Sequence, residues 1–136
     1  MQRCDVSSAT GSGLGVEGGR AVVRGTSLCG CRLHGAALYG DLLGEPSPAG
    51  ESLLEACTAS RNGGCGVLVR DGAAAAVRAC TLEGNAQYGA SLVDGTLNLV
   101  GCTLRGNRKG SLALERPRGL DMEANALDVP PAVLDR

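Results

Sequence analysis

Phenylalanine and tryptophan are absent from the 136 residues, and tyrosine occurs only twice. That excludes a core built on large rings and leaves no stacking platform for pyranose rings, which argues against sugar binding. Excess charge is missing too. Thirteen Lys and Arg against 14 Asp and Glu give a net charge of −1, with no electrostatic footprint for nucleic acid or an anionic membrane. No apolar run reaches the roughly eighteen residues of a bilayer-spanning helix. The opening Met1-Gln2-Arg3-Cys4-Asp5 lacks the apolar centre of a secretion signal. The seven cysteines are an odd number without paired zinc-knuckle spacing. An intracellular, reducing compartment, the cytoplasm first of all, is the simplest setting for them.

What the chain does have is glycine, 22 copies, without the Gly-X-Y period of collagen. Its apolar residues are Ala, Val, Leu and Cys. Small inward side chains with frequent glycine suit a narrow interior and a tight turn on every lap. By length the chain is one domain.

The plan is clearest from Cys57 to Leu114. Cys57-Thr58-Ala59, Asn62, Gly66-Val67-Leu68-Val69, Asp71-Gly72 and Val77 form one unit. Cys80-Thr81-Leu82, Asn85, Gly89-Ala90-Ser91-Leu92, Asp94-Gly95 and Leu99 repeat it, and Cys102-Thr103-Leu104, Asn107 and Leu112-Ala113-Leu114 restart it. Steps of 23 and 22 residues mark a stacked repeat array. Backwards, the register continues through Thr26 to Cys4, and one gap is longer because Leu43 to Glu51 is an inserted loop with two prolines. A sixth lap starts at Leu120-x-Met122-x-x-Asn125-x-Leu127, with Asn125 in the cysteine column, and Pro130-Pro131 should stop it. Residues 1–127 are therefore read as the repeat domain and 128–136 as a tail or cap.

Within a lap, Val67/Val69, Ala75/Val77 and Cys80/Leu82 alternate with the period of a strand, separated by turn residues. Three short strands per lap of 22–23 residues, each lap lying on the last, predict an all-β fold: a short parallel β-helix of five to six laps. Its inward columns would be Leu14, Ala36, Val67, Ala90, Leu112 and Val16, Leu38, Val69, Leu92, Leu114. A leucine-rich repeat solenoid is the alternative, because Leu97-x-Leu99-x-x-Cys102-x-Leu104 also matches its core. That fold needs a helix or extended return after the core, and Arg105-Gly106-Asn107-Arg108-Lys109-Gly110 carries no helical stripe.

The string Asn-x-x-x-Gly-x-x-Leu/Val, Asp-Gly, Cys-Thr-Leu-x-Gly-Asn resembles the right-handed parallel β-helix repeat of pectate-lyase-like proteins, carbohydrate-active enzymes and some F-box proteins. The resemblance covers nearly the whole chain and implies the fold and its right hand, while leaving the activity open.

Four groups of residues are candidate sites. Cys57, Cys80 and Cys102 (with Cys4) are expected to stack as small apolar residues, since a parallel ladder points thiols one way and disfavours a tetrahedral metal cage. Cys29-Gly30-Cys31 with His34 offers at most three ligands on a turn. Asn62, Asn85 and Asn107 share a phase and should form a buried, mutually bonded ladder, each in the left-handed conformation. Asp71 and Asp94 could be stacked carboxylates of a polysaccharide lyase, but each precedes glycine as turn residues do. No Asp-Asp pair, Gly-His-Gly or Arg-x-Lys supports catalysis. Arg105, Arg108 and Lys109 read as a solvated corner.

The sequence thus points to a non-catalytic structural or protein-interaction module, part of a larger assembly, with no cofactor and no metal expected. The loop residues Glu45, Pro46, Ser47 and Pro48 are its candidate contact segment. The first lap starts within four residues of Met1, so a protein partner or neighbouring domain, or self-stacking, is expected at that open end. Neither nucleic acid nor membrane is expected as a partner. A carbohydrate-active lyase or hydrolase module is the alternative, and the family resemblance adds a third, the substrate-recognition array of a ubiquitin-ligase adaptor.

Overall fold

A computed structural model describes residues 5–7, 12–17, 21–39, 52–116, 119–128 and 131–133. Among these there is no helix, and the chain winds as a right-handed parallel β-solenoid with three strands per turn. The first turn holds β1 (Asp5–Ser7), β2 (Leu14–Glu17) and β3 (Val22–Arg24). The second holds β4 (Ser27–Cys29), β5 (Ala36–Tyr39) and β6 (Ser52–Glu55). β7 (Thr58–Ser60), β8 (Val67–Arg70) and β9 (Ala74–Arg78) follow, then β10 (Thr81–Glu83), β11 (Tyr88–Val93) and β12 (Thr96–Val100). β13 (Thr103–Arg105), β14 (Gly110–Glu115) and β15 (Gly119–Glu123) lead into β16 (Ala126–Leu127) and β17 (Ala132–Val133).

Every third strand pairs, always parallel. Sheet 1 runs β1-β4-β7-β10-β13-β16, sheet 2 runs β2-β5-β8-β11-β14-β17, and sheet 3 runs β3-β6-β9-β12-β15. The expected columns are in register. Leu14 pairs Ala36, Ala36 pairs Val67, Val67 pairs Ala90 and Ala90 pairs Leu112. Val16, Leu38, Val69, Leu92 and Leu114 align in the same way. With Leu97, Leu99 and Leu104 these form one continuous core, filled by side chains no larger than leucine. Sheet 2 departs from simple alternation: β8 and β11 bury Leu68 and Ser91 on the outward side as well.

Each sheet ends in a corner whose first residue has positive φ. After sheet 1 these are Gly30, Arg61, Gly84 and Gly106; after sheet 3 they are Gly25, Ala56, Ala79, Gly101 and Ala124. After sheet 2 they are Asp71, Asp94 and Arg116. Pro131 does not end the winding, because β17 beyond it pairs with β14. Pro131 falls just before β17, where no ladder N–H is required of it.

Candidate functional site

Two of the three corners are filled by ladders of one residue type. After sheet 3, Thr26, Cys57, Cys80 and Cys102 are buried, and the Cys57 N–H donates to Cys80 Sγ at 3.4 Å. Each thiol lies against two carbonyls. Cys80 Sγ, for example, donates to Leu54 O at 3.3 Å and Arg78 O at 3.2 Å. The neighbouring thiols of Cys102 and Cys57, with burial, push Cys80 far above its ordinary value. Asn125 tops the column and accepts the Cys102 N–H at 2.9 Å.

After sheet 1 stands the asparagine ladder. Asn62 Nδ2 donates to Asn85 Oδ1 at 2.9 Å, and Asn85 Nδ2 to Asn107 Oδ1 at 2.8 Å. Each also donates to a strand carbonyl: Leu28, Ala59 and Leu82 respectively. The left-handed conformation expected of these asparagines belongs instead to the residue before each, Arg61, Gly84 and Gly106. Only with the preceding residue reversed does the amide turn inward to meet the next rung. Cys31 occupies the asparagine position one turn earlier, and its N–H donates to Asn62 Oδ1 at 2.9 Å.

The other candidates disperse. Cys29 faces outward, Cys31 inward, and His34 Nδ1 accepts the Cys65 N–H at 2.9 Å, so these three do not converge. Burial, with Arg70 nearby, holds His34 below its ordinary range, which suits an imidazole whose Nδ1 is an acceptor. Asp71 and Asp94 start the corner after sheet 2 with φ of 58° and 52°, and Asp71 lies 3.4 Å from Arg70. Glu45, Pro46, Ser47 and Pro48 lie outside the described residues, between β5 and β6.

The sequence reading passed over the outward positions of sheet 1. Ser27, Thr58, Thr81 and Thr103 align as one column, and Cys29, Ser60, Glu83 and Arg105 as the next. A groove at this corner is lined by Ser60, Arg61, Glu83, Arg105 and Asp128. Glu83, Arg105 and Asp128 are partnered across rungs. Arg105 Nε lies 2.7 Å from Glu83 Oε2. Asp128 accepts the Gly106 N–H at 2.8 Å and the Ser111 hydroxyl at 2.7 Å. One rung before Ser60, Cys29 Sγ sits 3.0 Å from Ser27 Oγ and 3.1 Å from Ser60 Oγ. Burial pushes this thiol up, but the two hydroxyls, the Ser60 backbone and Arg61 together bring it below the ordinary value. The signal was the variable position after Cys-Thr-Leu, which reads Glu83 and then Arg105.

No curated protein sequence matches the chain. Among solved structures, the periplasmic alginate epimerase AlgG superposes with a TM-score of 0.73 at 15% identity, over 98% of this chain and 33% of that one. The chain thus spans about a third of the epimerase's length, and the likeness is one of fold. It overturns the expectation of a reducing cytoplasm, because the similar structure is a periplasmic protein. The expectation rested on unpaired cysteines, and five of the six described are buried inside the coil, where packing rather than the solvent's redox state accounts for a free thiol. The model for the right handed beta helix region matches residues 1–127, and the chain belongs to that family.

Proposed function

We propose that this chain is a β-helical module of a larger carbohydrate-active assembly, non-catalytic in itself, that holds a polysaccharide against the groove at the end of sheet 1. One observation carries the reading. Ser60, Glu83 and Arg105 come into register in one outward column, with Arg61 and Asp128 beside them, yet both carboxylates are already engaged, Glu83 by Arg105 and Asp128 by Gly106 and Ser111. Hydrogen-bonding groups that recur at each rung, about 4.8 Å apart, suit a polymer that is itself a repeat. Two carboxyl groups tied up in this way suit contact better than proton transfer, which needs a defined pair across a cleft. The fold shared with an alginate epimerase supports a polysaccharide as the ligand class. With so few aromatic rings, recognition rests on hydrogen bonds and charge.

Affinity electrophoresis of the whole chain through gels containing alginate or a neutral glucan tests this. Alginate should retard it, and the Arg61→Ala/Arg105→Ala variant should bind roughly five- to tenfold more weakly, as for two lost partly exposed charge contacts. Equal mobility in every gel would sink the proposal. Product formation abolished by Glu83→Gln would overturn its non-catalytic part.

A further inference from the structure

Between sheets 1 and 2 the coil turns a corner that carries positive charge and no acid. Residues 30–35, 61–66, 84–87 and 106–109 make this corner in four successive turns, and none of them is Asp or Glu. Arg32, Arg61, Arg108 and Lys109 are exposed on it, and none belongs to an ion pair among the described residues. Four of the chain's 13 positive residues thus stand unpaired on one corner of a protein whose net charge is −1. Charge of one sign gathered in this way attracts a partner of the other. Glu83 and Asp128, which share a groove with Arg61, do not neutralise it, since Arg105, Gly106 and Ser111 engage them.

Stacking gives the corner its shape. The Gly64 N–H donates to Leu33 O at 2.6 Å, the Gln87 N–H to Gly64 O at 3.1 Å, and the Lys109 N–H to Gln87 O at 2.9 Å. Leu33, Gly64, Gln87 and Lys109 are therefore one column, and the residues before them, Arg32, Gly63, Ala86 and Arg108, are the next. Both columns are bulky at the ends and thin in the middle. Gly63 has no room for a side chain, because a Cβ there would overlap the Arg32 carbonyl. The His34 ring lies where a Gly64 side chain would begin, Ala86 adds one methyl group, and Gln87 is half-buried. The result is a saddle. Arg32 and Leu33, the latter 53% exposed, form one rim, and Arg108 and Lys109 form the other. At about 4.8 Å per rung the rims stand three rungs, or about 14 Å, apart.

We infer that this saddle is a docking site for an acidic, extended segment of a partner protein, laid along the coil axis with acids over both rims and an apolar residue against Leu33. An extended chain advances about 3.3 Å per residue, so acids four positions apart reach both rims. Leu33 selects a polypeptide over a sugar polymer, since an exposed apolar side chain gains by burial against another apolar group and not against hydroxyls. With Nδ1 accepting the Cys65 N–H, His34 carries its proton on Nε2 and adds a donor in the same place. The saddle uses neither Glu83 nor Arg105 and does not depend on a polysaccharide ligand.

The test uses the whole chain and four fluorescent, end-blocked peptides: Ser-Glu-Leu-Ser-Ser-Glu-Glu, its Lys-for-Glu counterpart, a shuffled peptide with all three acids adjacent, and a Ser-for-Leu peptide. Polarisation should show binding of the first, with the second and third at least tenfold weaker. The Ser-for-Leu peptide should bind about fivefold more weakly, as for one partly buried apolar contact. In the Arg32→Glu/Arg108→Glu/Lys109→Glu variant, whose fold is checked by circular dichroism, preference should invert to the Lys peptide. Ala86→Tyr fills the saddle without changing its charge and should weaken the acidic peptide about tenfold. Binding that ignores residue order or survives either variant overturns the proposal, as does no binding at millimolar peptide. Retardation by alginate that is lost in Ala86→Tyr would assign the saddle to the polysaccharide and overturn the polypeptide, leaving the groove reading intact. Concentration-dependent dimerisation abolished by the charge reversal would assign it to a second copy and overturn it too.

Discussion

Asn85 shows how much one side chain carries in this coil. Its Oδ1 accepts from the Asn62 N–H at 3.1 Å and from Asn62 Nδ2 at 2.9 Å, while its Nδ2 donates to Ala59 O and Asn107 Oδ1. Asn85→Leu keeps the volume but leaves these buried groups without a partner. Each such group costs about 1–3 kcal/mol. We expect a loss of about 2–4 kcal/mol in urea unfolding, against less than about 0.5 for Asn98→Ala on the outer face. Similar losses in the two variants would show that the ladder is incidental. The ladder was legible because the same residue returns at the same phase, and a parallel coil turns phase into vertical contact. The backbone sign was not legible. It falls on Arg61, Ala56 and Ala79 as well as on glycines, and neither arginine nor alanine advertises positive φ.

The corners explain the glycine pattern at the scale of the element. In Asn-x-x-x-Gly, the glycine lets two rungs approach beside the asparagine amide. A Cβ on Gly66 would lie 2.6 Å from Gly89 O and 3.0 Å from Asn85 Nδ2. Gly66→Ala should therefore destabilise by about 1–3 kcal/mol, the usual range for overpacking. Ala79→Gly should be neutral or stabilising, because a methyl group at φ 51° costs about 1–2 kcal/mol that glycine avoids. Thermal melts of the pair check both signs, and a Gly66→Ala melt equal to the parent's would mean that the rungs can separate. Strand positions were readable from alternation, and both inward columns expected from it are in register on sheet 2. Alternation did not show that Leu68 and Ser91 are buried on the outward side of that sheet as well. β17 escaped the reading because Pro131 looked like a stop, and a stop holds only inside a ladder, not at a corner between two sheets.

For the whole molecule, each turn touches only its neighbours, so stability is a chain of rung-to-rung terms. Amides of β7 to β12, with neighbours on both sides, should exchange slowest, and those of β15 to β17 fastest, opening at a free energy well below that of global unfolding. Uniform protection along the coil would instead make it a single cooperative block. The fold was legible at this scale because the repeat covers most of the chain. The compartment was misread because buried thiols record packing, and the sheet 1 groove was passed over because its residues change identity from lap to lap. Five strands in one sheet against six in the other two also means that the described winding does not finish flush. It finishes on a ledge, like the step on a growing crystal face. In such a winding each turn is closed by the one laid over it, as Leu120 and Met122 close Leu97 and Leu99, so burial is gained one rung at a time.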